Sequence, residues 1–408
     1  MRNLRLEIRA PPSHLGTVHL GMSAMPRESP AADQRRHRFH SQGSQSRTNG
    51  ENRRIVFPGA NRYNLLRAAG TLRKTSVQMR IMTPSDIRYS YGPVPSRRLG
   101  KSLGINNIPA KVCTYNCAYC QVGRTTQKLN KRRPFYEPEI IFRDVRDRLL
   151  KAEATAEQTD YLAFVPDGEP TLDMNLGGEI ALLKTLKVPV GVITNSSLLW
   201  RADVRSELGP VDWVSLKIDA VQETTWQRIN RPHKALRLPL ILDGILAFAE
   251  AFTGKLVTET MLVGGLNDND DCMKEVADFL RKVQPHAAYL SIPTRPPARK
   301  WAGVPKEEAL NRAYRIFTDK VQRVECLIGY EGNAFAFSGD IEKDLLDITA
   351  VHPMREEAVA MLLSRAGSSR KILDRLVARG LLTKIKYDGH MFYLKNLEKA
   401  DKRRHGHD

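Results

Sequence analysis

The chain has 408 residues, 41% of them hydrophobic, and a formal net charge of +19. That length suggests two or three domains, and no run of about 18 or more apolar residues is present to span a membrane. The N-terminus lacks the compact apolar core of a secretory signal, and five cysteines, three of them within residues 113–120, do not make a secreted disulfide framework, so a cytoplasmic protein with no membrane partner is expected.

The charge is unevenly placed. Residues 1–80 carry fifteen Lys and Arg against four Asp and Glu, and fourteen of the fifteen are Arg. The segment is rich in Ser, Pro, Gly, Gln and Asn and lacks periodicity, so residues 1–82 are expected to form a disordered basic extension. A nucleic-acid-binding arm, an organelle transit peptide and a start codon set too far upstream all account for it. The last is preferred, because Met79 and Met82 stand just before organised sequence begins.

From about residue 100, apolar runs at 103–108, 161–165, 188–194, 211–218, 255–263, 287–292 and 324–330 read as strands. Helix-period segments lie between them at 137–153, 176–186, 200–208, 221–230 with 237–252, 269–282 and 305–320. This alternation predicts an α/β fold with a parallel sheet, a partial (β/α)6 TIM-type barrel over residues 83–335, with its chemistry on the loops after the strands. The polar stretches PDGEPTL, NSS, DA, GGLNDND and PTRPPAR follow successive strands, as that arrangement requires.

The pattern changes near residue 340. Residues 354–367 and 368–380 read as helices, and 381–396 as a hairpin turning at Asp388-Gly389. Helix, helix, hairpin outlines a small winged-helix-like domain over 340–398, with Leu362, Leu363, Ile372, Leu373, Leu376 and Leu381 as its core. Residues 399–408 read as a tail. Arg370, Lys371, Arg375 and Arg379, with Lys384 and Lys386 on the hairpin, would let such a domain meet tRNA or another nucleic acid; protein docking is the alternative.

The cysteines carry the chemistry. Cys113, Cys117 and Cys120 follow the first strand at x3 and x2 spacing, and thiolates select zinc, copper(I) or iron–sulfur clusters. Structural zinc closes its shell with four protein ligands. Cys272 and Cys326 read as small buried hydrophobes, and nothing in the spacing of His233, His286 or His352 recommends them as a fourth ligand. A [4Fe–4S] cluster on three cysteines keeps one iron open to a small molecule.

Cys-x3-Cys-x2-Cys after a first strand, with Tyr119 before the last cysteine, resembles the radical S-adenosylmethionine superfamily. Gly168-Glu169-Pro170 after the second strand is similar to that superfamily's glycine–acid motif. Thr194, Asn195 and Ser196 match its polar contacts to the ribose or carboxylate, and Gly264-Gly265 matches a backbone patch near the adenine. The resemblance spans roughly residues 90–330. It implies a [4Fe–4S] cluster held by Cys113, Cys117 and Cys120, with S-adenosylmethionine on the open iron. It implies an electron donor such as flavodoxin or ferredoxin, and a 5′-deoxyadenosyl radical that takes hydrogen from an unidentified substrate. A non-catalytic iron–sulfur or zinc protein that binds or senses nucleic acid is the alternative.

Residues 91–106 with the cysteine loop resemble more narrowly a bacterial group related to the wyosine-tRNA synthases. The chain departs from those relatives, since no cysteine precedes Cys113 and no flavodoxin-like domain is present. Lys217, at the end of the fourth strand, is a candidate Schiff-base nucleophile if its pKa is depressed, or else a partner of Asp219 or a phosphate. Arg97, Arg98 and Lys101, with Arg295 and Arg299, would line the barrel mouth and grip an anion, or else stand as solvated charges.

Overall fold

A computed structural model describes residues 89–396, apart from 329–331 and 334. The basic extension, the tail and the end of the expected 324–330 strand lie outside the described residues.

The elements alternate as β-branched and apolar runs separated by amphipathic helices dictate. In order they are β1 (Ser90–Ser96), β2 (Gly100–Ile105), β3 (Val112–Cys113), β4 (Gln127–Lys128), α1 (Pro138–Ala154), β5 (Tyr161–Phe164), a 3-10 turn (Pro170–Leu172), α2 (Leu176–Lys184), β6 (Val190–Thr194), α3 (Ala202–Leu208) and β7 (Trp213–Lys217). Then come α4 (Glu223–Ile229), α5 (Leu238–Ala251), β8 (Lys255–Met261), α6 (Asp270–Val283), β9 (Ala287–Ser291), α7 (Glu307–Thr318) and β10 (Val324–Leu327). Local chemistry sets the helix ends. Pro138 opens α1, where a missing N–H is harmless. Asn269 caps α6 by accepting the Cys272 amide at 3.0 Å, and Gln284 stops it in a left-handed conformation.

One eight-stranded sheet runs β1-β2-β5-β6-β7-β8-β9-β10. All neighbours from β2 to β10 are parallel, and only β1 is antiparallel. The sheet curls into a half-barrel. Leu99, Ala163, Trp213, Tyr289 and Leu327, drawn from across its width, share one small apolar cluster inside the curl, and Arg97 beside β1 donates to the Leu327 carbonyl of β10. The outer face packs on the helices in the main core, through Leu103, Phe164, Val192, Leu216 and Leu290 among others.

Two departures from the sequence reading follow from long-range packing. The edge strand β1 carries no alternating pattern, because the Gly-Pro pair within SYGPVPS interrupts it; its Tyr91 and Val94 are buried all the same. Cys326, expected to be buried, is exposed because β10 is an edge strand.

Beyond residue 340 the described chain forms α8 (Ile341–Val351), β11 (Met354–Arg355), α9 (Glu356–Arg365), α10 (Lys371–Ala378), β12 (Leu382–Tyr387) and β13 (His390–Lys395). The last three strands make a sheet in the order β11-β13-β12. Asp388 and Gly389 both take positive φ, as a two-residue hairpin turn demands. The sequence reading lacks α8 and β11. Leu362, Leu363, Leu373 and Leu376 are buried, while Ile372 and Leu381 are only partly so. The core is completed by Leu345 and Ile348 of α8 and by Tyr91 and Val94 of β1, so this unit packs on the barrel's first strand.

Candidate cluster and cofactor site

The cysteine loop leaves the C-terminal end of β2 and is pinned on both sides. The Asn116 and Ala118 amides donate to the carbonyls of Asn230 and Ile229 at 3.0 and 2.8 Å, and the Ala118 carbonyl accepts from the Arg299 amide at 2.9 Å. Cys113, Cys117 and Cys120 line one cavity of about 90 Å³ with Tyr115, Asp167 and Gly168. Burial raises all three thiols, Cys117 to about 12 with further contributions from Asp219 and Cys120. Raised in this way, the thiols favour their protonated form, and a bound cation would offset three partly buried thiolates. Among the described residues, no three His, Cys, Asp or Glu side chains gather tightly enough for a single metal ion. A cluster that takes each cysteine on a separate iron does not need its sulfurs to meet at one point.

Gly168 lies against this loop. A Cβ there would stand 1.9 Å from the Val112 carbonyl oxygen, so only glycine fits. Glu169 is 1% exposed and ties two strand-end loops together. Its Oε1 accepts from the Thr171 amide at 3.2 Å, Thr171 Oγ1 at 2.7 Å and Thr194 Oγ1 at 2.6 Å; Oε2 accepts from the Asn195 amide at 2.7 Å. Burial raises its pKa despite these donors. Pro170 begins the 3-10 turn that places Thr171. Asn195 Nδ2 donates to Thr114 Oγ1 at 2.8 Å and to Cys113 Sγ at 3.5 Å. Ser196 sits at φ 66°, with a buried hydroxyl that has no partner among the described residues.

The structure therefore brings Cys113, Cys117, Cys120, Gly168, Glu169, Pro170, Thr194, Asn195 and Ser196 together. Gly264 and Gly265 line a separate cavity of about 740 Å³ with Trp301 and Val304. Gly265 has φ +72°, and a Cβ on Gly264 would lie 2.9 Å from the Val304 carbonyl. Tyr119 donates its hydroxyl to Asp219, whose carboxylate also accepts from Asn230 Nδ2 at 2.7 Å and the Met261 amide at 2.9 Å. Sequence reasoning missed Thr114, which accepts from both Asn195 and Ser197, and Asn230, which donates to Cys117 Sγ at 3.6 Å. No spacing rule marks a lone Thr or Asn.

Lys217 is not set up as a nucleophile. Its Nζ lies 3.1 Å from Glu259 Oε1, its register partner on β8, rather than on Asp219. Burial would lower its pKa, but Glu259 and Asp219 outweigh that and raise it. Glu259 also holds Arg98 at 2.5 Å and Ser291 Oγ at 2.9 Å. Burial favours its neutral form, yet Arg98 and Lys217 hold it well below the usual carboxylate range. Arg97, Arg98 and Lys101 do not line the mouth. They enter at the N-terminal end of β2, opposite the cysteine loop, where Lys101 meets Glu157 at 3.1 Å. Arg295 donates to Gln121 Oε1 at 2.8 Å and contacts His352, while Gln121 Nε2 donates to the Val351 carbonyl at 2.8 Å. These bonds anchor the cysteine loop to the end of α8.

Beneath the Gly168–Pro170 loop, Asp173 and Glu179 form a buried carboxyl pair. Burial, reinforced for Glu179 by Asp173, raises them to about 6 and about 9. Asn107 Nδ2 donates to Glu179 Oε2 at 3.0 Å and to the Pro170 carbonyl at 3.3 Å. The folded chain thus keeps a proton that the unfolded chain releases near its ordinary value of 4.5, so stability present below that pH is lost as pH rises toward about 9. Glu179→Gln, which needs no such proton, is expected to flatten the melting temperature across this window and raise it at pH 8 by at least about 2 °C. Thermal melts at pH 5, 6.5 and 8 check this; parallel curves would overturn it.

The curled parallel sheet with a three-cysteine loop after its first parallel strand defines the class: residues 107–280 match the Radical SAM superfamily, and the chain is a radical SAM enzyme whose reaction the match leaves open. Such enzymes use a [4Fe–4S] cluster and S-adenosylmethionine. A UPF0026 protein of Methanocaldococcus jannaschii is 47% identical over 77% of this chain and 98% of its own length, so the chain belongs to the UPF0026 family. Solved structures with similar folds include TYW1 with a lysine–pyruvate adduct bound (16% identity, 54% of this chain, 74% of that one, TM-score 0.43). A radical SAM methyltransferase from Sphaerobacter thermophilus is another (15% identity, 56% of this chain, 66% of that one, TM-score 0.43).

Proposed function

We propose that Cys113, Cys117 and Cys120 hold a [4Fe–4S] cluster, that S-adenosylmethionine binds beside it, and that the chain modifies its substrate by hydrogen abstraction. The observation that carries this is the convergence of three partly buried thiols on one cavity, walled by a glycine that admits no Cβ. The donor set fits the group: three soft thiols, no fourth cysteine in the cavity lining, and Cys272 engaged elsewhere with Gln222 and Asn269. When bound, the cluster supplies one electron for reductive cleavage of the sulfonium to methionine and a 5′-deoxyadenosyl radical.

The chain's own residues bind and orient. Among the described residues Glu169 Oε2 has a single donor, and it keeps acceptor capacity for an ammonium group. The Ser196 hydroxyl, without a partner among the described residues, and the Asn195 amide suit the ribose or carboxylate, with Gly168, Pro170 and Thr194 fixing the loops that present them. Tyr119 shields the cysteine loop from the Lys217–Glu259 pair, since the Lys217 ammonium lies 5.1 Å from its ring centre. Gly264 and Gly265, which the family resemblance matches to the adenine, line the other cavity and are left out of this site. A flavodoxin or ferredoxin would serve as electron donor. The helices and hairpin after residue 340 form a winged-helix-like unit, but four of its six named cations are engaged: Arg375 and Arg379 meet Glu342 at 2.9 and 2.8 Å, and Arg370 and Lys384 meet Glu356.

The test is anaerobic reconstitution, iron and sulfide counts, dithionite reduction and mass detection of 5′-deoxyadenosine. About four irons per chain with deoxyadenosine formed are expected. Zinc in place of iron, or S-adenosylmethionine left intact, would move the chain to the binding and sensing class.

A further inference from the structure

Three loops border the cysteine loop, and none contains an acid. Residues 121–136, 229–242 and 292–306 hold twelve Lys and Arg and not one Asp or Glu. The structure gathers them. Thr125, beside Arg124, is pinned to the cysteine loop through Asn116 Oδ1 at 3.1 Å and the Tyr115 carbonyl at 2.6 Å. Asn230, beside Arg231, accepts from the Asn116 amide, and Arg299 donates its own amide to Ala118. Arg124, Arg231 and Arg299 therefore stand around one short segment at the C-terminal end of the barrel strands.

Among the described residues no ion pair is found for these three arginines. The Nε atoms of Arg231 and Arg299 are buried without a hydrogen-bond acceptor among the described residues. Arg231 is held at φ 49°, an uncommon conformation for a side-chain-bearing residue. Burial and the like charges of Arg124 and Arg231 push the Arg299 pKa below its ordinary value. The contrast with the C-terminal unit is direct, because there Glu342 and Glu356 engage Arg370, Arg375, Arg379 and Lys384. Arginine forks without carboxylates, beside a reactive centre, match the planar geometry of phosphate oxygens.

We propose that Arg124, Arg231 and Arg299 form a phosphate-binding rim that docks a phosphate-bearing substrate over the cysteine loop. This rests on the radical-enzyme reading for the word substrate, but the rim itself is tested without the cluster. The phosphate comes either from a small phosphoester or from a polynucleotide backbone, and the C-terminal helix α10 plays no part in holding it.

The experiment measures binding of inorganic pyrophosphate and of a single-stranded 12-mer oligonucleotide to the full, metal-free chain between 50 and 200 mM salt. The variants are Arg231→Ala, Arg299→Ala, their Lys counterparts, and Arg375→Ala on α10. Each rim alanine is expected to weaken binding about tenfold and to reduce the oligonucleotide salt slope by about 1, with lysine restoring part of the affinity; Arg375→Ala should change nothing. Pyrophosphate binding without oligonucleotide binding assigns a small phosphoester, and tight oligonucleotide binding assigns a polynucleotide. Binding of neither probe, or binding lost in Arg375→Ala and kept in the rim variants, would overturn the rim. A chain that binds phosphate through these arginines yet takes up no iron would keep this inference and lose the radical reading. Circular dichroism confirms that each variant is folded.

Discussion

Cys117→Ser is expected to hold less than about one iron per chain after reconstitution, against about four for the unaltered protein, and to form no 5′-deoxyadenosine. A serine alkoxide is a hard ligand with a far higher pKa than a thiolate, and a buried pocket raises it further. Cys117 is the sharpest choice because its sulfur faces Asn230 and the Asp219 carboxylate, whose charge already opposes ionisation. Iron by colorimetry and the visible spectrum of the brown protein read the result directly. A Cys117→Ser chain with full colour and iron would remove this residue from the ligand set. Cys272→Ser is the control and should load normally, since that sulfur bonds Gln222 Oε1 on the outer helices.

Glu259→Gln is expected to destabilise the fold by about 3 kcal/mol or more. One carboxylate on β8 faces both Arg98 and Lys217, with side chains 7%, 17% and 16% exposed. Removing its charge leaves two cations facing each other inside the curl, and a buried charge without its counterion is far more costly than the pair. Urea unfolding with unchanged m-value measures the loss. Adding Lys217→Met should recover part of it; no recovery would show that the cost lies in packing rather than in the orphaned ammonium. The pH dependence has two edges. The folded carboxyl is depressed, so its contribution is present above its ordinary 4.5 and fades as pH falls below that. The folded ammonium is raised, so its contribution is present below its ordinary 10.5 and fades as pH climbs above that. In Glu259→Gln both edges should disappear.

The Glu259 cluster also bears on chemistry. A lysine held protonated by a carboxylate 3.1 Å away is a poor nucleophile at neutral pH. The same contact places a fixed positive charge beneath Tyr119, one residue from Cys120. The cluster thereby joins β7 and β8 to the cysteine loop, with Asp219 and Asn230 beside Cys117.

Much of this protein is written in local pattern. The seven parallel strands, the helices between them and the strand-end loops follow from runs of apolar residues and their periods, because strand and helix burial repeat every two and every 3.6 residues. The spacing of Cys113, Cys117 and Cys120, and the acid-free loops around them, are likewise plain in the order of residues. What the tertiary structure alone decided is pairing at a distance. It gave Lys217 to Glu259 rather than Asp219, brought Arg98 in from the opposite end of β2, and set Glu342 and Glu356 against the cations of the C-terminal unit. It also exposed Cys326 at a sheet edge and buried Tyr91 and Val94 under α8. Sequence spacing governs neighbours within a turn or a strand, whereas a charge chooses its partner only after the sheet has curled and the dielectric around it has fallen.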